Sequence, residues 1–313
     1  MLVRLGYVSI SNILKLSTSK FVTYTRFSEQ KFNYGLIDNV IKSNLSNLIE
    51  ILKYNFNNNV HFYRLSSSII PLVTHESVNV DYVSKYKSYY NKISRIINDN
   101  DIRIDLHASS YCVLNSINNN VVKNSIEDLI YYYNVLDCFG VEKKIIILHV
   151  GSAYGGKEEA IKRFINNFNK LPIYIKKTIV LENDDKVFNV SDVLFISKAI
   201  GVPVCLDYHH HICNNISTDI NFYMNDIIKS WDNYGIRPKF HYSSPLNKRN
   251  FRAHNDYIDC DEFISFLNVL QKYQVDVDIM IEAKEKDVAM FRLMRQLRYK
   301  TNYKFIDDTS FII

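Results

Sequence analysis

The chain has nine histidines among 313 residues, and all but His61 fall at or just beyond the end of a short apolar run. One run ends at His107, the next closes around His149, and the next ends at Glu182. A further run ends at Asp207, with His209, His210 and His211 directly after it. Another carries His241, the loop beyond it holds His254 and Asp256, and a last run ends at Glu282. Imidazole and carboxylate suit divalent ions such as manganese, magnesium, cobalt or zinc. None of the five cysteines stands at a run end, which disfavours a soft-metal or structural zinc site.

Singly, each of these residues reads as an ordinary rim or salt-bridge residue. Gathered in one cavity, they would be partly buried, unpaired polar groups, which are costly unless cations satisfy them. Eight or nine nitrogen and oxygen donors exceed one coordination sphere and match two or three ions. Several ions close together suit phosphodiester hydrolysis, where one acidifies a bound water and others neutralise the phosphate and the leaving 3′-oxygen. Sugar isomerisation, the other common chemistry of metal-bearing barrels, manages with two ions.

The elements that must gather these residues are legible in the same runs. Eight apolar stretches, at residues 2–10, 60–66, 102–107, 144–150, 178–182, 202–207, 238–242 and 277–282, alternate with segments of helical periodicity. Ile37, Val40, Ile41, Leu45, Leu48, Ile49 and Leu52 form one such segment, and Phe263, Phe266, Leu267 and Leu270 another. Short strands alternating with helices predict parallel βαβ units. Eight of them predict an α/β fold of the TIM (β/α)₈ barrel type, with all strand C-termini around one axis. Gly201 and Gly235 fit turns from helix into strand. The expected organisation is one domain over residues 1–313. Its short tail, from about residue 299, is expected to pack Phe305, Ile306 and Phe311 against the barrel base.

Two long connections should lie on the face that carries the site. Residues 11–30 bring Lys15, Lys20, Arg26, Phe21, Tyr24 and Phe27, and residues 243–258 bring Lys248, Arg249 and Arg252. Cations mixed with aromatics suit a phosphate backbone and unstacked bases. The net charge of +5 permits such a partner without requiring it. A 47% hydrophobic, 23% charged composition is that of a soluble globular protein. No CxxC spacing, no leader-like apolar segment at the start and no run of ~20 apolar residues occur, so a cytoplasmic protein without membrane contact is expected.

Ten local strings follow one another along residues 2–290: Arg4-Leu-Gly-Tyr7, Tyr63-Arg64-Leu-Ser-Ser67, Thr74-His75, Leu148-His149-Val-Gly151, Gly156-Lys157, Leu181-Glu182-Asn-Asp184, Asp207-Tyr-His-His210, Lys239-Phe-His241-Tyr-Ser-Ser244, His254-Asn-Asp256-Tyr and Ile281-Glu282-Ala-Lys284-Glu285-Lys286. In this order they resemble the UV damage endonuclease family. The resemblance implies a barrel related to endonuclease IV, three divalent ions (typically manganese) and no organic cofactor. It implies a monomer acting on double-stranded DNA that contains ultraviolet photoproducts. The expected reaction is incision immediately 5′ to a cyclobutane dimer or (6-4) photoproduct, leaving 3′-hydroxyl and 5′-phosphate ends.

Carried over by position, the resemblance gives His107, His149 and Glu182 one ion. Glu182, as a bridge, shares the second with Asp207, His241 and Glu282. His210 and His254 take the third, helped by Asp256 or by a carboxylated Lys239. Lys239 stands two residues before His241, so both should face the cavity. His75 would face the scissile phosphate, and Tyr7, Ser110, Tyr111, Lys248, Arg249 and Arg252 would meet DNA. Two departures stand out. The family's Gln-Tyr wedge after the first metal histidine reads Ser110-Tyr111 here, and a family Asn beside the damage reads Ser11, with Asn12 adjacent. An abasic-site endonuclease on the same barrel, a sugar isomerase or epimerase, and a non-enzymatic barrel are the competing readings.

Overall fold

The computed structural model describes residues 1–217 and 219–313. Among them, eight parallel strands close a barrel: β1 (Leu2–Val8), β2 (Phe62–Leu65), β3 (Arg103–His107), β4 (Ile146–His149), β5 (Ile179–Glu182), β6 (Val204–Asp207), β7 (Lys239–Tyr242) and β8 (Val277–Ile281). Each lies within one of the eight apolar runs. Closure is made by β1 against β8, in register from Val3 opposite Val277 to Gly6 opposite Met280. Gly6 is required by proximity, because a Cβ there would meet the Phe62 carbonyl oxygen at 2.4 Å.

A principal helix follows each strand: α1 (Tyr34–Asn57), α2 (Lys87–Asp99), α3 (Asn119–Cys138), α4 (Lys157–Asn169), α5 (Val190–Ile200), α6 (Asn221–Lys229), α7 (Cys260–Gln271) and α8 (Lys286–Lys300). In α1, buried Ile37, Ile41, Leu45, Leu48 and Leu52 recur at helical spacing and face the sheet. A reciprocal Asn189–Asp192 capping box opens α5, and Gly201 closes it at φ 71°.

Alternation along the strands decides what enters the lumen. On β3, Arg103, Asp105 and His107 share one face, and Lys239 and His241 do so on β7. One side of the lumen is apolar, with Ile147, Val180 and Cys205 packed near Trp231. The other side is charged in layers. At the floor, Arg4 chelates Asp278 at 2.7 and 2.8 Å, and Arg103 joins the same carboxylate at 2.8 Å. The Arg103 guanidinium lies over the rings of Phe62 and Trp231, at 5.2 and 5.7 Å. One layer up, Lys239 Nζ donates to Asp105 Oδ2 at 2.7 Å with both residues fully buried.

The tail continues α8 to Lys300 and then forms two short strands, β9 (Lys304–Phe305) and β10 (Ser310–Ile312). The second runs antiparallel to the start of β1 and buries Phe311 completely. Ile306 departs from expectation: it is 53% exposed, because the β9–β10 turn carries it outward. No helix among the described residues is long and apolar enough to cross a membrane. All five cysteines are free thiols.

Candidate metal centre

The strand ends and the loops just beyond them gather eight of the nine expected ligands about the buried carboxylate of Glu182. Its Oε2 lies 2.7 Å from His107 Nε2 and 3.9 Å from His149 Nε2. Its Oε1 lies 3.0 Å from His241 Nδ1 and 3.5 Å from His210 Nδ1. Glu282 Oε1 stands 3.3 Å from His241 Nδ1, and its Oε2 stands 3.9 Å from His254 Nδ1. Two donor trios result: His107, His149 and Glu182, and Glu182, Asp207 and His241. Within each trio, one atom per residue lies within 4.8 Å of the others. Glu182 belongs to both.

Local structure explains how the loop histidines arrive. Asp207 ends β6 and caps the short helix Tyr208–Cys213, accepting from the His210 backbone N–H at 2.8 Å. That single turn swings His210 back over the barrel, where its Nδ1 meets the Asn183 carbonyl at 3.0 Å. Asn183 in turn locks β5 to β6, giving Nδ2 to the Asp207 carbonyl and taking the Asp207 N–H, at 3.0 and 2.9 Å. His209 and His211 are both buried, His209 edge-on to His254 and beside Phe251, and His211 against Tyr208 and Tyr223.

The electrostatics are those of a site built for cations. Burial opposes the charge on Glu182, yet His241, His149 and His107 outweigh it and hold the carboxyl well below its ordinary range. Burial depresses His149 and His241 toward neutral imidazole, the form that binds metal. His210 goes the other way: burial is overcome by Asp207, Glu182 and Glu282, which hold it up at about 9. Asp207 Oδ2, His241 Nε2 and His149 Nδ1 are buried without a hydrogen-bond partner among the described residues. Unsatisfied buried atoms of hard and borderline ligand type, on residues of the two trios, fit divalent ions.

Several expected residues lie elsewhere. Asp256 is no part of the cluster: its carboxylate is 55% exposed and faces Lys284 at 3.5 Å. Tyr7 does not reach the surface, because Gly6 takes the crowded lumen side and Tyr7 therefore faces the helices. There its hydroxyl donates to Asn55 Oδ1 at 2.6 Å. Ser11 is fully buried and donates to Asp287, while the exposed-side contacts fall to Asn12, which reaches Glu285 at 3.1 Å. Phe27, expected on the DNA-facing loop, is core.

Lys239 shares the lumen with His241, but its amine is spent on Asp105 rather than on the ligand carboxylates. Burial still pulls its pKa down against that partner. His75 stands at the rim, half-buried, stacked on Tyr24 with centroids 4.0 Å apart. It makes none of the contacts around Glu182. Ser110, Tyr111, Lys248, Arg249 and Arg252 are all exposed on loops of the strand-end face, with Tyr111 at 84%. Arg252 is tethered to Asp185, Nε to carbonyl at 3.1 Å.

One central residue escaped the sequence reading. Arg64, near the end of β2, donates to Glu282 inside the cluster and is a permanent cation among its acids. Its signal was present: a charged residue two positions after lumen-facing Phe62 must itself face the lumen.

The sequence matches the UV-endonuclease UvdE family across residues 3–310. The chain belongs to that family. A "UV DNA damage endonuclease" of Bacillus cereus strain 03BB102 is 40% identical over 315 residues, covering 99% of both chains. The one from Bacillus mycoides strain KBAB4 is 39% identical over 314 residues, again covering 99% of both. The crystal structure of SacUVDE superposes with a TM-score of 0.85 at 36% identity, over 95% of this chain and 98% of that one. Endonuclease IV from Thermus thermophilus superposes with a TM-score of 0.56 at 12% identity, covering 95% of this chain and all of the other. That likeness is one of barrel fold.

Proposed function

We propose that this chain is a metal-dependent endonuclease that incises DNA immediately 5′ to ultraviolet photoproducts. The observation that carries the reading is Glu182, whose two oxygens join two donor trios at the mouth of a barrel of the UvdE family. His107, His149 and Glu182 would hold one divalent ion, and Glu182, Asp207, His241 and Glu282 a second. His210 and His254 would hold a third. When bound, such ions, manganese first, supply an acidified water and neutralise charge on the phosphate.

The chain's own residues prepare the rest. Asn183 and the Tyr208–Cys213 turn hold Asp207 and His210 in place, and Arg64 fixes Glu282 through a permanent charge. The stack on Tyr24 holds His75 at the rim, where it would meet the scissile phosphate. Its Nδ1 accepts from the Ser77 N–H at 3.2 Å, which leaves Nε2 as the protonated, outward nitrogen. Exposed Lys248, Arg249 and Arg252 would position the sugar–phosphate backbone of double-stranded DNA, and Tyr111 would stack in the gap at an unstacked lesion. The protein would act as a cytoplasmic monomer without an organic cofactor.

The deciding experiment incubates the protein with manganese and end-labelled duplexes carrying one cyclobutane dimer, one (6-4) photoproduct, one abasic site or no damage. Cleavage directly 5′ to the photoproducts, leaving 3′-hydroxyl and 5′-phosphate ends, is expected. Cutting confined to the abasic duplex would replace this reading with an abasic-site endonuclease.

A further inference from the structure

Two loops leave the barrel directly beyond two of the clustered histidines. The loop after His107 carries Tyr111, and the loop after His149 carries Tyr154, which is 67% exposed. A single exposed tyrosine on a free loop would be ordinary. These loops are not free. The fully buried side chain of Asn115, from the first loop, grips the second: Nδ2 donates to the Ser152 carbonyl at 2.8 Å, and Oδ1 accepts from the Ser152 N–H at 3.2 Å. The fit is so close that a Cβ on Gly151 would meet Asn115 Oδ1 at 2.4 Å.

Helix α4 completes the brace. Arg163 Nε donates to the Asn115 carbonyl at 2.9 Å while its Nη2 donates to the carbonyl of Tyr154 itself. Asn167 Nδ2 holds the Leu114 carbonyl at 2.8 Å. The backbone of Tyr154 is thus fixed by a guanidinium, and its ring takes no part in the aromatic contacts of the described residues. Beyond the ring come Gly155 and Gly156 at φ 78° and 99°, and a Cβ on Gly156 would meet nothing within 4 Å. An exposed phenol ring on a fixed backbone therefore stands on the loop that follows His149.

We propose that Tyr154 is a second lesion-reading residue, stacking on a base displaced at the damage and working with Tyr111 across the braced pair of loops. This rests on the photoproduct-endonuclease reading above. An aromatic face accepts any base but needs that base out of the helix, and a photoproduct lowers the cost of taking it out. An intact duplex presents no such face. The second ring also supplies a contact that Ser110 is too short to make.

The test uses the full chain with manganese and matched duplexes with and without one cyclobutane dimer. Tyr154→Ala should raise KM for the damaged duplex about 30-fold, the middle of the range for one base–aromatic stack, with a smaller change in kcat. Tyr154→Phe should behave as wild type, affinity for undamaged duplex should hold, and bound metal should be unchanged. Equal losses on both duplexes, unchanged KM, or a Phe variant as poor as the Ala variant would overturn the proposal. Tyr154→Trp gives a readout independent of nicking, because the natural tryptophan, Trp231, is buried. Its fluorescence should be quenched by the damaged duplex only, and no quenching counts against stacking. The wild-type arm separates the two ideas: failure of wild type to nick the dimer-bearing duplex sinks the endonuclease reading instead.

Discussion

Glu182 and His107 meet through one carboxylate oxygen, Oε2 at 2.7 Å from Nε2, which leaves Oε1 free for His241 at 3.0 Å. A carboxylate used on both oxygens cannot be replaced by an amide, which offers one acceptor and one donor. Glu182→Gln should therefore lose at least ~100-fold in nicking rate, ~3 kcal/mol of electrostatic stabilisation at the reacting centre. Binding to damaged duplex should persist, since the exposed cations are untouched. Nicking at near wild-type rate would remove Glu182 from its bridging role.

His210 predicts a proton count for metal uptake. Its imidazole is held at about 9, so at neutral pH it carries a proton that a cation taking His210 as a ligand must displace. Apparent metal affinity should then rise with pH, by up to about tenfold per unit, until pH 9. Calorimetry in buffers of differing ionisation enthalpy should show proton release that His210→Ala reduces. Elemental analysis of the same sample should give about three divalent ions per chain, and chelation should abolish nicking.

The eight strands and most of the ligand ring were legible because both follow from position alone. A strand two residues in period must aim His107, His149, Glu182 and His241 at one axis once a barrel closes. The failures share a cause. Tyr7 sits one residue from the lumen face, and only the clash that forces Gly6 inward settles which side it takes. Arg64 is a lumen residue whose importance shows only when the end of β8 supplies Glu282. Asp256 and His75 lie in loops, where no periodicity constrains direction, so their contacts with Lys284 and Tyr24 could not be read from spacing.

Ser110 is exposed beside Tyr111, where the family's Gln-Tyr wedge is expected. On the photoproduct-endonuclease reading, a serine would leave the space opposite a displaced lesion unfilled, so discrimination should be weaker than with glutamine. Ser110→Gln should raise the ratio of damaged to undamaged nicking severalfold, and Tyr111→Ala should lower affinity for damaged duplex by ~1–3 kcal/mol. A ratio unmoved by the first change would show that other residues read the lesion.

The barrel floor predicts an acid limit. Burial works against the Asp278 carboxylate, but Arg4 and Arg103 outweigh it and lower its pKa in the folded state. A lowered folded pKa contributes stability that is complete above the unfolded value near ~3.9 and is lost as pH falls below it. Asp278→Asn should cost up to ~3 kcal/mol at pH 7, because two partly buried guanidinium groups lose their buried counter-ion. Its urea midpoint should also fall less than that of wild type between pH 6 and pH 3. A variant with the wild-type pH slope would show that other carboxylates set the acid limit.

Lys239 poses a choice between two states of one amine. As an ammonium it satisfies Asp105 at 2.7 Å, and the pair is sealed from water. Burial nevertheless lowers its pKa, and the neutral amine is the form that combines with carbon dioxide. Divalent cations at the neighbouring strand ends would further disfavour an ammonium one layer below His241. A carbamate there would add two oxygens and a negative charge, and Asp105 would have to take up a proton or turn its carboxylate away. We expect carboxylation in the metal-loaded protein. Carbon-13-labelled bicarbonate should give a carbamate resonance that disappears in Lys239→Met and on metal removal. Asp105→Asn, which takes away the competing ion pair, should retain the resonance in the metal-free protein. No resonance in any of these samples, with the Lys239–Asp105 pair intact in a metal-loaded crystal, would leave Lys239 a structural cation of the barrel core.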